Sequence, residues 1–506
     1  MFIIHLGYLT TFVIAKKNIY MSIEIRQLEP KKLWNKFADL NAIPRGSKKE
    51  ERVIKFMKEF GENLGLKTLV DEVGNVIIKK PATQGMEDRK TIVMQSHLDM
   101  VHQKNADTNF DFDTQGIEMY VDGDWVKARG TTLGADNGLG VATIMAILES
   151  DTIVHPPIEA LFTIDEETGM TGAMGLKGGL LEGDILLNLD TEEDDEIGVG
   201  CAGGIDITAT RTYILKEVPT DFIAYKIEVK GLNGGHSGMD IHKGLGNANK
   251  IMNRLLYFGS DNFGIQVCEI DGGGLRNAIP RESIAIFAVN KNKSDELLKK
   301  LKQVVSEIKS EFKTVDPNLS IEISLVDVPE KGMDNKTQLQ LLRAIYAAHN
   351  GVYRMSPDIP DLVETSNNIA RVLVKDGDIK ILCLTRSSVE SSKMDLAIAL
   401  RSTFELIGCQ VEFSGSYPGW TPNIDSAILK VMREIYVELN KEEPHVAACH
   451  AGLECGILGT NYPKMDMISF GPNIKGAHSP DERAQISSTQ KYWKFVIEIL
   501  KNIPKK

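Results

Sequence analysis

Two histidines and several carboxylates stand where short apolar runs of this sequence end, a placement that suits metal binding and proton transfer. Imidazole and carboxylate groups together form the usual ligand set of divalent ions in hydrolases. Their order, with short gaps up to position 190 and one long gap afterwards, predicts a two-metal hydrolase with a further domain inserted in the long gap. They are His97 and Asp99 in SHLDM, Asp136 in GADNG, Glu166 and Glu167 in DEETG, Asp190 in NLDTEE, and His478 in GAHSPDE.

A carboxylate between two divalent ions bridges them and screens their mutual repulsion, and Asp136 is the expected bridge. His97 and Asp190 are expected to complete the ligand shell of one ion. Glu167 and His478 are expected to complete the shell of the other. Such mixed ligation favours zinc, with manganese or cobalt as alternatives. Two ions, three ligand carboxylates and a bridging hydroxide sum to zero charge, so this site can be buried at low solvation cost.

The adjacent residues Glu166 and Glu167 need separate functions, because neighbouring side chains on an extended segment point to opposite sides. If Glu167 binds metal, Glu166 is the expected general base, which takes a proton from the attacking water and passes it to the leaving amine. Asp99 lies two positions after His97. It is expected either to hold the imidazole through its second nitrogen or to order the loop.

The segments before these residues read as buried strands that alternate with helices. The β-branched runs 91–96, 158–164 and 184–189 each end just before a candidate ligand, and a helix is expected to open near Asn137. This alternation predicts an α/β catalytic domain with a mixed, mostly parallel sheet. Open α/β sheets bind ligands beyond the carboxyl ends of their strands, so the candidate ligands can converge there.

The pattern changes after Gly203 to long alternating strands and charged amphipathic helices, up to about Phe413. A helix, a strand pair and a second helix occur twice in this stretch, which predicts an inserted α+β domain built as a duplicated unit. The predicted organisation is an extension outside the fold at 1–20, a catalytic domain formed by the two segments 21–205 and 413–506, and the inserted lid domain at 206–412 between them.

Composition favours an acidic cytoplasmic enzyme. The 506 residues include 58 basic and 70 acidic ones, a net charge of −12, and show no basic arm interleaved with aromatic residues, so a nucleic-acid partner is disfavoured. Six scattered cysteines without CxxC spacing indicate reduced thiols. The apolar segment 1–15 is followed by Lys16 and Lys17 but lacks the features of a signal peptide and is short for a spanning helix. We expect translation to begin at Met21 and no membrane association.

The chain resembles the aminoacyl-histidine dipeptidases, within the co-catalytic zinc peptidases that include carnosinases, tripeptidases and glutamate carboxypeptidases. The resemblance runs from about Met21 to the C-terminus and implies the same ligand sets, the same base, and a cis peptide bond after Asp136. The matching motifs are SHLDMV, GTTLGADNGLGVA, TIDEETGMTGA, NLDTEE, GGHSGMDI, GGGLRNAIP, CHAGLECG and FGPNIKGAHSPDE.

The resemblance also implies residues that bind substrate. His236 in GGHSG corresponds to a lid histidine placed over the substrate carbonyl, where it would stabilise an oxyanion, and a doubled lid can supply it in cis. Asn277 and Arg386 would hold the free carboxylate, although LTRSS departs from the commoner DxR form. His450 and Glu454 resemble residues near the substrate amino end.

The predicted function is hydrolysis of unblocked dipeptides, Xaa-His and carnosine-like substrates included, by a metal-bridging hydroxide with Glu166 as general base. The alternative is deacylation of N-acyl amino acids by the same two-metal site. Small peptides are the expected partners, and the chain is expected to be a monomer or a homodimer.

Overall fold

A computed structural model describes residues 23–506, so the predicted extension at 1–20 lies outside the described residues. The chain forms two compact units. The first unit comprises the described chain from residue 23 up to Gly200, Pro422–Ala448 and Ile457–Lys506, and the second comprises Cys201–Thr421 and Cys449–Gly456. The domain limits given above stay a prediction.

The first unit is built around an eight-stranded mixed sheet. Its four central strands are mutually parallel, and the strands outside them pair antiparallel where their register is defined. The central strands Ile92–His97, Ile158–Thr163 and Ile185–Asn188 are buried along their whole length, as parallel strands covered on both faces must be. In sheet order the strands are Lys67–Val70, Val76–Lys80, Ile158–Thr163, Ile92–His97, Ile185–Asn188, Asp466–Ser469, Glu196–Cys201 and His445–Cys449.

Helices and a second, smaller sheet complete this unit. The helix Ala135–Glu149 is buried almost throughout, consistent with its apolar sequence on all sides. The helices are Lys31–Asn41, Glu51–Asn63, Ala135–Glu149, Thr171–Gly175, Ala427–Asn440, the C-terminal part of Glu454–Asn461, and Ile486–Lys501. The small antiparallel sheet has the order Ile474–Lys475, Arg483–Gln485, Trp125–Ala128 and Met119–Asp122.

The second unit is one antiparallel nine-stranded sheet with helices packed on it. Eight strands form a continuous row, and Gly351–Met355 pairs beside this row with Val363–Lys375. The row has the order Ser320–Val326, Phe222–Lys230, Ser283–Asn290, Gln266–Gly273, Val363–Lys375, Asp378–Ser387, Gly203–Thr212 and Gln410–Tyr417. The helices are Ala248–Phe263, Ser294–Phe312, Asn335–Ala347 and Glu390–Glu405, with short 3₁₀ turns at Ile241–Lys243 and Lys291–Lys293. Two further strand pairs are Leu215–Glu217 with Lys331–Met333, and Gly235–His236 with Ala278–Ile279.

The two halves of the row have the same arrangement: followed inward from either edge, each half places its fourth, first, third and second strand in chain order. This arrangement confirms the predicted duplication. In each half the outermost strand follows a long helix, and the two innermost strands, Gln266–Gly273 and Val363–Lys375, pair with each other. Each half supplies apolar side chains to one shared core beneath the sheet. The predicted α/β class with an inserted α+β domain is therefore confirmed.

Candidate active site

The parallel strands of the first unit bring several predicted ligands to one edge of the sheet. His97 is the last residue of Ile92–His97, and Asp190 follows the neighbouring strand Ile185–Asn188 by two residues. Glu166 and Glu167 follow Ile158–Thr163, the neighbour on the other side. Because the three strands are parallel and adjacent, their carboxyl ends place these side chains together.

Two other segments supply the remaining ligands. Asp136 lies at the N-terminal end of Ala135–Glu149, and the peptide bond between Asp136 and Asn137 is cis, as the resemblance implies. His478 lies between the short strands Ile474–Lys475 and Arg483–Gln485 and has a φ of 62°, a left-handed conformation. Both segments therefore reach the site as loops anchored by regular structure.

Asp136 lies between the two histidines and presents one oxygen to each. The distance from Asp136 Oδ1 to His97 Nε2 is 3.1 Å, and the distance from Asp136 Oδ2 to His478 Nε2 is also 3.1 Å. Asp190 Oδ1 is 3.5 Å from His97 Nε2, and Glu167 Oε2 is 2.9 Å from His478 Nε2. One imidazole and one carboxylate thus flank the central carboxylate on each side, which is the arrangement predicted from the sequence.

The electrostatics of this cluster favour positive charge between its carboxylates. Hydrogen bonds with Asp136 and Glu167 raise the pKa of His478 to about 11. Burial alone would lower the pKa of His97, but Asp190 and Asp136 raise it well above 6.5. Burial raises the pKa of Glu167 and Asp190, because both are removed from water. A cluster of acceptor atoms that stabilises imidazolium in this way suits cations.

The buried carboxylate of Asp99 connects the strand of His97 with the turn that carries the two glutamates. It accepts hydrogen bonds from the backbone N–H of Glu166 (3.0 Å) and of Glu167 (3.2 Å) and from the Ser47 hydroxyl (2.8 Å). Its Oδ1 also lies 3.4 Å from His97 Nδ1. Burial alone would raise the pKa of Asp99, but the His97 imidazole, and then the hydrogen bonds from Ser47 and Glu166, lower it to about 2. Both roles considered for Asp99 are therefore compatible with its contacts.

Three residues of this site were missed by the sequence analysis. Asn137 donates a side-chain hydrogen bond to Asp190, and its place directly after Asp136 was the only available signal. Arg45 stands between Pro44 and Gly46, a pattern typical of an exposed turn, yet it is fully buried and donates to carbonyls close to His97 and Asp136. Glu482 lies in the motif GAHSPDE and received no role, although its carboxylate accepts hydrogen bonds from the Asp136 loop.

In the second unit, His236 is held by its own turn. The backbone N–H groups of Gly238 (3.2 Å) and Met239 (3.0 Å) donate to His236 Nδ1, so the proton of the neutral ring lies on Nε2. Burial, and then the nearby Arg386, lower the pKa of His236 to about 4. The ring is therefore neutral near pH 7 and offers Nε2–H as a donor.

Arg386 is buried, with 4% of its surface exposed, and it has no carboxylate within ion-pair distance among residues 23–506. Its Nη1 donates to the Tyr417 hydroxyl at 2.7 Å, and its Nε lies 3.4 Å from Ser237 Oγ. Its Nη2 lies 3.4 Å from His236 Nε2. With its proton on Nε2, His236 presents a donor beside the donors of Arg386, and a buried guanidinium without a counter-ion favours an anion there.

The other predicted substrate-binding residues also lie in the second unit. Asn277 is exposed, and its backbone carbonyl accepts a hydrogen bond from Ser237 N–H at 2.8 Å, next to His236. His450 is buried, and its Nε2 lies 2.7 Å from the Ser366 hydroxyl. Glu454 is fully buried at the start of the helix Glu454–Asn461. The roles of these three residues in substrate binding stay predictions.

The fold and the cluster around Asp136 define a metallopeptidase. The chain belongs to peptidase family M20/M25/M40, whose sequence profile matches residues 93–502. It is 45% identical over 484 residues to the cytosol non-specific dipeptidase of Escherichia coli strain K12, covering 96% of this chain and all of that protein.

Solved structures agree with this assignment. The aminoacylhistidine dipeptidase of Vibrio alginolyticus is 43% identical and superimposes with a TM-score of 0.89, covering 95% of this chain and 98% of that one. The aminopeptidase PepT of Bacillus cereus is 15% identical with a TM-score of 0.55, covering 94% and 99%, and shows the shared fold. The predicted resemblance and the predicted class of enzyme, a hydrolase of peptide bonds, are thus confirmed.

Proposed function

We propose that the protein is a cytoplasmic dipeptidase that hydrolyses dipeptides with free amino and carboxyl termini, using two divalent ions, with zinc favoured. The placement of Asp136, with one oxygen toward each histidine, is the observation on which this rests. The similarity to a cytosol non-specific dipeptidase along nearly the whole chain supports dipeptides as substrates over N-acyl amino acids. The similarity to an aminoacylhistidine dipeptidase supports Xaa-His among the accepted dipeptides.

The residues present fit such ions. The ligand atoms of His97, Asp136 and Glu167 all lie within 4.8 Å of one another. Within residues 23–506, the buried Glu167 Oε1 has no hydrogen-bond partner, so one acceptor of the cluster is left for a cation. When bound, divalent ions supply a Lewis acid that polarises the peptide carbonyl and lowers the pKa of water.

We assign the proton transfers to Glu166. Its neighbour Glu167 is engaged with His478, and the 4% exposure of the Glu167 side chain suits a ligand. Glu166 is partly exposed, and its backbone is fixed by Asp99, so its carboxylate can take a proton from water and return it to the leaving amine. The resemblance in the motif TIDEETG supports the same assignment.

We assign recognition of the substrate's carboxyl end and anionic oxygens to the second unit. Arg386 offers a buried positive charge without an ionic partner among the described residues, and His236 offers Nε2–H. Asn277, His450 and Glu454 are kept as further substrate-binding candidates. The number of chains in the assembly, one or two, stays a prediction.

Metal-stripped and zinc-reloaded protein should differ sharply in the hydrolysis of a dipeptide panel that includes Xaa-His and carnosine. We expect activity on the unblocked dipeptides to disappear on chelation and to return with zinc, because the cluster needs cations to polarise the carbonyl. N-acetylated amino acids serve as controls and should remain poor substrates. Preference for the acetylated compounds would instead identify a deacylase, and full activity in the absence of bound ions would contradict the proposal.

Arg386→Lys should raise the KM for free dipeptides by about 10- to 100-fold, the equivalent of a lost charge-assisted hydrogen bond of about 1.5 to 3 kcal/mol. The value of kcat should change little, and the preference for a dipeptide over its C-terminal amide should decrease. Arg371→Lys is the matched control, because Arg371 lies on the same sheet in an ion pair with Asp271. An unchanged preference in Arg386→Lys would exclude Arg386 from carboxylate binding.

A further inference from the structure

One carboxylate, that of Glu482, accepts hydrogen bonds from four consecutive backbone N–H groups of the loop that ends at Asp136. Its Oε2 accepts from Leu133 (2.7 Å) and Gly134 (2.9 Å), and its Oε1 accepts from Ala135 (2.7 Å) and Asp136 (3.3 Å). Glu482 is 2% exposed. This carboxylate therefore provides partners for the N–H groups at the start of the helix Ala135–Glu149, from a position far along the chain.

Arg45 holds the same loop through its carbonyl groups. Its Nη2 donates to the Gly134 carbonyl at 2.6 Å, and its Nη1 donates to the carbonyls of Leu98 and Asp99, both at 3.0 Å. The side chain is fully buried, and burial lowers its pKa to about 10, which leaves the guanidinium charged near pH 7.

These two residues connect the segments of both histidines to the loop of Asp136. Glu482 follows His478 in the same hairpin and is bonded to the loop of Asp136. Arg45 joins that loop to the segment directly after His97. Asp136 contacts both histidines at 3.1 Å, so a shift of the loop by a fraction of an ångström would spoil one contact or both.

We infer that Glu482 and Arg45 are positioning residues that fix the spacing between Asp136 and the two histidines, so that the ion site is formed before ions bind. The inference rests on the metal dependence proposed above. Buried charges need hydrogen-bond partners to offset their desolvation, and both residues find most of theirs on the backbone of ligand-bearing segments. Glu482 accepts from four backbone N–H groups, and Arg45 donates to three backbone carbonyls and to the Asn41 side chain.

The test is Glu482→Gln, because glutamine keeps the shape but replaces one acceptor oxygen with an NH₂ group that faces N–H donors. We expect zinc affinity, measured by competition with a chromophoric chelator, to fall by about 10- to 100-fold. The visible absorption spectrum of the cobalt-loaded enzyme should change, since it reports ligand geometry. Activity should need correspondingly more metal and should largely return at saturating metal.

Glu159→Gln is the matched control. Glu159 is a buried carboxylate of the same unit, and it accepts hydrogen bonds from the backbone N–H of Glu182 (2.8 Å) and Gly183 (3.0 Å). It lies near the start of the strand Ile158–Thr163, whereas Glu166 and Glu167 follow the other end of that strand. Both variants should lower Tm. Only Glu482→Gln should alter zinc affinity and the cobalt spectrum.

An unchanged zinc affinity and cobalt spectrum in Glu482→Gln, with a lower Tm alone, would reduce Glu482 to a structural role and overturn the inference. If Glu482→Gln does not fold, Glu482→Asp decides by the same two measurements, because aspartate keeps the charge but has a shorter side chain. Wild-type protein that binds no zinc would contradict the proposed function itself, so the two failures are distinguishable.

Discussion

Replacement of Glu166 by Gln is expected to lower kcat by about 10²- to 10⁴-fold while the bound metal stays in place. The amide cannot accept the proton of the attacking water, whereas the metal ligand in our assignment is Glu167, which contacts His478. Steady-state kinetics combined with elemental analysis of the same preparation will measure both quantities.

Glu167→Gln is the natural comparison, since it changes the neighbouring residue in the same turn by the same chemistry. It should lose metal, because Glu167 contacts His478 at 2.9 Å and contributes a negative charge to the cluster. If metal is lost from Glu166→Gln and retained in Glu167→Gln, the functions of the two residues are the reverse of those assigned.

Asp136→Asn should remove both ions and almost all activity. Asparagine is neutral and has a single side-chain oxygen, whereas Asp136 uses one oxygen toward each histidine. Loss of a Lewis acid worth several kcal/mol corresponds to a decrease of at least about 10³-fold in turnover. Zinc content per chain and kcat/KM on a dipeptide are the measurements.

Asp316→Asn provides a control for the removal of a buried carboxylate. Asp316 is 1% exposed and accepts from the backbone N–H of Asn233 (2.6 Å) and Gly246 (2.7 Å) in the second unit. It should lower stability without loss of zinc. An Asp136→Asn protein that still binds two zinc ions per chain would disprove the bridging position of Asp136.

The sequence was sufficient to predict elements whose pattern is long and periodic. The helix Ser294–Phe312, the second helix of the first repeated unit, is predictable because its apolar and charged residues alternate with helical spacing over five turns. The convergence of His97, Glu167 and Asp190 was predictable because parallel strands end at the same edge of a sheet. The positions of these three residues therefore agree with their choice from strand ends.

Other features depend on contacts between distant segments and left no local signal. Arg45 stands in a turn-forming stretch, where arginine is usually exposed, yet it is among the largest fully buried side chains. The four-stranded sheet that carries the hairpin of His478 has strands of only two to four residues, two of them within 119–128 and two within 474–485. Strands this short do not show the alternation of apolar and polar residues by which a strand is recognised. Neither their pairing nor the role of Glu482 could therefore be predicted.

The two ends of the segment that forms the nine-stranded sheet lie side by side. The first strand, Gly203–Thr212, pairs with the last, Gln410–Tyr417, and Cys201 pairs with Trp420 just outside them. A segment whose termini are adjacent can be spliced into a surface loop of a host protein at little conformational cost. By the same geometry, a short synthetic linker could join positions 201 and 420 once the strands between them are deleted.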